Sequence, residues 1–175
     1  MTASKIISTL SALNNNEVFF GPQGFKSVVS ESELTAAQLG FGASDAEQIV
    51  AGIVTTNTEP GQWQPSWQVF ARDTELGDPY FVDNSQPELP VYTGFLGDNG
   101  WEIEQVASTL PAYVNCMTLL FNHGQQSQAQ FFPDENTVTD EDALARLQEQ
   151  LIEASACQHF WQMFMGCYLD WLVED

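Results

Sequence analysis

Four short runs of β-branched and aromatic residues, each closed by turn-forming residues, occupy residues 67–106 and constrain the fold more than any other stretch of the chain. WQVFAR (67–72), PYFVD (79–83), PVYTGFL (90–96) and WEIEQV (101–106) read as strands of an antiparallel meander. The link Gly97-Asp98-Asn99-Gly100 supplies residues that tolerate positive φ and is the best hairpin signal in the sequence. Alternation in the last run sets Trp101 and Ile103 against Glu102 and Glu104. The expectation is a sheet whose apolar side, with Trp101 and Ile103, faces the core and whose acidic side faces water.

Helical spacing frames these strands. Ile6, Ile7, Leu10 and Leu13 recur as on one face of a helix over residues 2–13, which the run Asn14-Asn15-Asn16 stops. Residues 18–42 mix glycine, Pro22 and aromatic residues without a clear period, although SESEL at 30–34 can cap a short helix. Ser44 with Glu47 has capping-box spacing ahead of Ile49, Val50 and Ile53, which predicts a helix near 45–54. Past the strands, Ser108 is a candidate N-cap for a helix with Pro111 in its first turn and Tyr113, Val114, Met117, Leu120 and Phe121 on its apolar side. Thr139 with Asp142 gives a further capping pattern before Leu144, Leu147, Leu151 and Ile152. A final segment carries Phe160, Phe164, Tyr168 and Trp171 at steps of three or four, with Gly166 as a candidate bend. Such a stripe is core in most helices, and the alternative is a face that docks a partner or a second copy of the chain. The predicted class is α+β: a single mostly antiparallel sheet, a meander of about four to six strands, flanked by helices and followed by a helical C-terminal extension.

A chain of 175 residues with twelve Phe and five Trp can bury a real core without staples. Its formal charge of −20 comes less from many acids than from a near absence of bases, which are only Lys5, Lys26, Arg72 and Arg146. From Asp73 to Asp175 there are eighteen carboxylates and one Arg, a field that repels phosphate backbones and draws in basic partners. Nucleic-acid binding is disfavoured. Solubility alone would also account for such a charge. No run has the length of a membrane span, and the opening MTASKIISTLSAL makes a poor signal peptide, so no membrane association and a cytoplasmic location are expected. The three cysteines, Cys116, Cys157 and Cys167, are odd in number and lack C-x-x-C spacing, which suits reduced thiols.

Catalytic signatures are sparse. His123 and His159 have no carboxylate or cysteine at a spacing that recurs in metal sites, and Cys157 and His159 lie two apart, on different faces of a helix. Asp73, Glu75, Asp78 and Asp83 gather around one hairpin but fit no EF-hand, and Gly77-Asp78-Pro79 already makes sense as a turn. Glu102 and Glu104 share one side of a strand without a nucleophile or metal ligand beside them. There is no G-x-S-x-G, P-loop or G-x-G-x-x-G. No metal and no cofactor are expected.

The linked pattern of W67-Q-V-F-A-R-D-T-E-L-G-D-P-Y-F-V-D83, L89-P-V-Y-T93, G97-D-N-G-W101 and E104-Q-V-A-S108 resembles the SUKH superfamily, the yeast cell-wall-assembly-regulator family that includes bacterial immunity proteins. The likeness covers residues 63–121, about a third of the chain. The family's usual N-terminal portion, with an L-P-x-x-Y stretch, has no counterpart before Gln62. The resemblance implies an α+β domain over 1–122 and a helical extension over 123–175 packed on it. It further implies a non-catalytic protein-binding module that neutralises a toxin, often a nuclease. Residues expected to meet such a basic partner are Asp73, Glu75, Asp78, Asp83, Glu102 and Glu104. The alternative is a structural homo-oligomer assembled through Phe160, Phe164, Tyr168 and Trp171, with the acidity serving solubility.

Overall fold

A computed structural model describes residues 2–41, 61–124 and 128–174. The helix expected near 45–54 lies outside the described residues. Helix α1 (Thr2–Leu10) buries Ile6 and Leu10. Strands β1 (Glu17–Phe20) and β2 (Gln23–Ser27) form a hairpin, and α2 (Glu31–Ala37) follows. Strands β3 (Trp67–Asp73), β4 (Pro79–Asp83), β5 (Val91–Gly97) and β6 (Gly100–Ala107) match the four expected runs to within about a residue. Helices α3 (Leu110–Gly124), α4 (Glu141–Ser155) and α5 (Gln158–Val173) complete the described elements. The fold is α+β, with one six-stranded antiparallel sheet in the order β1-β2-β3-β4-β5-β6.

Helix starts follow side-chain chemistry closely. Ser30 caps α2 by accepting from the Glu33 amide, while the Glu33 carboxylate takes the Val29 amide at 2.7 Å. Two expected caps move by one residue. Thr109, and not Ser108, receives the Ala112 amide at the start of α3, while the Ser108 amide donates to the Ser155 carbonyl. Asp140, and not Thr139, caps α4 by accepting from the amides of Asp142 and Ala143. Helix α5 runs through Gly166 as one element.

Both faces of the sheet carry apolar side chains. On one face, α3 and α5 cover Phe25, Tyr80, Val82, Val91 and Val106 in a single core that also holds Ile6, Leu147 and Leu151. Phe25, 2 % exposed, is its hub: its ring lies 5.1 Å from Tyr80, 5.8 Å from Phe164, 6.3 Å from Trp161 and 6.4 Å from Tyr113. The opposite face holds a smaller cluster of Trp63, Val69 and Phe81, with Trp67, Tyr92, Trp101 and Phe41 packed against it.

The expected sidedness of β6 is therefore reversed. Trp101 packs into the second cluster, Ile103 is 41 % exposed, and Glu104 lies on the face that the long helices cover. Alternation establishes which residues share a side. It does not say which side the helices take when both are apolar.

Truncating Phe25 to Ala should remove a ring shared by four aromatic neighbours and lower stability by about 3–5 kcal/mol. Urea unfolding measures this, and a loss under about 1 kcal/mol would show that the core does not converge on this residue.

Candidate functional site

Helix α5 is set across the sheet by polar contacts at both ends. Ser155, fully buried at the α4–α5 corner, accepts the Cys157 amide on its hydroxyl at 3.0 Å and the Ser108 amide on its carbonyl at 2.9 Å. Ala156 turns the corner in the left-handed region at φ 61°. The Trp161 indole then donates to the Val106 carbonyl at 3.0 Å, beside the irregularity in the β5–β6 ladder. At the other end, the Tyr168 hydroxyl donates to the Val138 carbonyl and the Trp171 indole to the Phe131 carbonyl. Gly21, at φ 66° in the β1–β2 turn, leaves room for this end of the helix: a Cβ there would lie 2.8 Å from the Tyr168 ring.

So anchored, α5 crosses β6 at Glu104 and Val106, runs on to the β1–β2 turn, and leaves a cleft of about 190 Å³ beside the β1–β2 and β3–β4 turns. Phe25, Tyr80 and Phe164 form its floor, Phe160 and Met163 one wall, and Gln23, Asp73 and Glu104 its polar edge. Pairing across the strands brings the acids to this end. Tyr80 sits opposite Thr93 and Thr93 opposite Glu104, and Phe95 with Glu102 forms the next row on the same face. Phe95 and Met163 are 53 % and 56 % exposed.

Asp73 organises the β3–β4 turn, its Oδ1 accepting the amides of Glu75 at 2.5 Å and Leu76 at 3.1 Å. Burial, and then the Asp73 charge, raises the carboxyls of both Glu75 and Asp78 above the ordinary range. Burial, followed by Asp73, Tyr113 and Asp78, pushes the Tyr80 phenol far up, so it stays neutral. Glu104 meets His159 of α5 through Oε1 and Nδ1. His159 thus has a carboxylate partner that lies 55 positions away in the sequence.

Asp83 does not belong to this group. It stands at the opposite end of β4 and caps its own turn, accepting from the Ser85 amide at 3.0 Å and hydroxyl at 2.6 Å. Burial opposes ionisation there, but hydrogen bonds from Ser85, Ser66 and Gln86 outweigh it and hold the carboxyl low. The aromatic stripe of α5 is also differently used. Phe164, Tyr168 and Trp171 are buried in the chain's own core and Phe160 is half-buried, so the stripe is not an open face for a second copy.

None of the four basic residues lines the cleft. Lys26 and Arg72 pair side by side on the opposite face, where they border a separate cavity of about 380 Å³, and Arg72 lies 4.9 Å over the Phe41 ring. Lys5 donates to the Pro87 carbonyl and Arg146 is on α4. Among the described residues, no three His, Cys, Asp or Glu side chains are grouped to hold a metal ion, and no helix is long and apolar enough to cross a membrane. The chain matches no family model, no curated protein and no solved structure.

Gln23, Tyr80 and Met163 were not singled out as site residues by the sequence, and Phe160 and His159 were weighed only for other roles, because their place beside the acids depends on α5 lying across the sheet. Only the density of acids around residues 73–78 and 102–104 signalled this region.

Because Glu75 and Asp78 bind protons more readily folded than unfolded, each carboxylate opposes folding at neutral pH, and the penalty fades as pH falls through the raised folded pKa. Asp78→Asn should accordingly raise stability at pH 7 by roughly a few tenths of a kcal/mol, the site being largely solvated, with the gain vanishing toward low pH. Urea midpoints across the pH range measure it, and destabilisation at pH 7 would contradict this electrostatic account.

Proposed function

We propose that the protein is a non-catalytic binding module that captures a basic protein partner on the acidic cleft, as a toxin-neutralising immunity protein does. The observation that carries this reading is that Asp73 and Glu104 edge an aromatic-floored cleft with no Lys or Arg in its lining, with Glu75 and Asp78 in the adjoining β3–β4 turn and Glu102 one row further along the same sheet face. Two of these carboxylates are held against their own ionisation by burial and by Asp73. Phe95 and Met163 give exposed apolar surface beside the charges, the mixture that a specific interface requires.

The SUKH resemblance of residues 63–121 supports the same reading. A nuclease toxin must present cationic groups to its own substrate. An acidic surface can occupy them with carboxylates in place of phosphates, which blocks the active site and speeds encounter.

The test separates local placement from total charge. A triple variant, Glu75→Lys, Asp78→Lys and Glu102→Lys, is compared with a control of equal net charge, Glu88→Lys, Glu141→Lys and Glu149→Lys. A partner captured from native lysate at low salt should associate at least about tenfold more slowly with the first variant and nearly normally with the control. Equal loss in both variants would reduce the effect to net charge, and no loss in either would remove the acidic surroundings of the cleft from recognition.

A further inference from the structure

The two borders of the sheet are built differently. At one, β1 is closed: Val18, Phe19 and Phe20 are buried, and Gly124 of α3 lies so near Phe20 that a Cβ there would meet its ring at 2.9 Å. At the other, β6 is the last strand among the described residues, with Glu102, Ile103 and Gln105 exposed. Backbone contacts close only its two ends. The Trp101 amide donates outward to the Gly61 carbonyl at 2.8 Å, and the Ser108 amide to the Ser155 carbonyl at 2.9 Å.

Pairing parity shows what lies between. Because the Trp101 amide points away from β5, Trp101 and Leu96 form a non-hydrogen-bonded pair, and so do Ile103 with Gly94 and Gln105 with Tyr92. The amides and carbonyls of Ile103 and Gln105 therefore point out of the sheet, and among the described residues none of them has a backbone partner. Side chains alternate around this open row. Glu102 and Glu104 stand on the face that α5 crosses, and Trp101 and Ile103 on the other, where Ile103 is 41 % exposed.

An exposed row of unpaired peptide groups is a template for another strand. A second copy of β6 is a poor match for it. Each antiparallel register that pairs Ile103 with Trp101, Ile103 or Gln105 of the copy sets a glutamate opposite a glutamate. We propose instead that the open edge of β6 takes up an extended antiparallel segment of a partner, with a basic residue on each side of an apolar one. This inference rests on the protein-binding reading above and gives it a mode, strand addition. The apolar residue exchanges both backbone hydrogen bonds with Ile103 and lies beside its side chain. The two basic residues come opposite Glu102 and Glu104 in non-hydrogen-bonded pairs, where Cα atoms are about 4.5 Å apart and side chains meet most closely.

The test uses the whole protein and three blocked peptides of equal charge. The first is acetyl-Thr-Lys-Val-Lys-Thr-amide; the second carries an N-methyl group on its valine, and the third on its first lysine. In an NMR titration the first peptide should shift the amides of residues 101–105 and slow hydrogen exchange at Ile103 and Gln105. Methylation of the valine removes a donor that faces β6 and should weaken binding by about tenfold or more. Methylation of the lysine blocks a donor that faces solvent and should leave binding within about twofold. Glu102→Gln should weaken the first peptide several-fold.

Equal binding of the two methylated peptides, or no shifts at residues 101–105, would overturn strand addition. So would a dimer of the protein paired through β6, seen as concentration-dependent protection of the Ile103 and Gln105 amides. If partner capture still depends on Glu75, Asp78 and Glu102 in that event, the protein-binding reading stands without the open edge. If capture has also lost that dependence, both fall.

Discussion

The hydrogen bond from the Trp161 indole to the Val106 carbonyl fixes where α5 crosses the sheet, and both the core and the cleft depend on that crossing. Val106 stands at an irregularity of the β5–β6 ladder. A buried carbonyl there needs a donor, and the fully buried indole needs an acceptor. Once they meet, Phe164 falls against Phe25, Tyr168 reaches Phe20 at 4.5 Å, and His159 arrives at Glu104. The helix closes the core with one side and makes the cleft wall with its margin.

Electrostatics adds a division between the two faces. The Lys26 and Arg72 pair lies on the side away from α5, whereas the hairpin ends beside α5 collect carboxylates that burial and mutual repulsion make reluctant to ionise. Asp83 supplies the contrast, since hydrogen bonds in its own turn satisfy it and favour its charge. A carboxylate that stabilises its turn is explained by folding. Glu75 and Asp78 stand instead beside the Asp73 charge, at the end of β4 that borders the cleft.

Much of the architecture was legible in the sequence. Strands β3 to β6 announce themselves because alternation and turn residues act over a few positions, and the helices do so through apolar spacing. The β1–β2 hairpin was not legible: Gly21, Pro22 and Gly24 interrupt its pattern for reasons that lie elsewhere in the chain. A Cβ on Gly24 would meet the Phe19 ring at 2.4 Å and the Thr74 hydroxyl at 2.5 Å. The caps at Thr109 and Asp140 were missed by one residue because neighbouring Ser or Thr offers the same chemistry, and the choice depends on distant contacts such as that between Ser108 and Ser155. The acids of the candidate site could be read from their density. Asp83 was separable in principle, since the expected strand over 79–83 already puts it at the end away from Asp78, but Phe160 and Gln23 could not be joined to the acids, because packing of the distant helix α5 across the sheet brings them together.

Amide hydrogen exchange on the protein, alone and with its captured basic partner, tests the central claim most directly. Recognition through the acidic cleft predicts added protection concentrated in residues 73–80, 93–104 and 158–167, with little change around Trp63, Trp67 and α2 on the opposite face. Protection centred on that opposite face, with the hairpin ends and α5 unchanged, would contradict it.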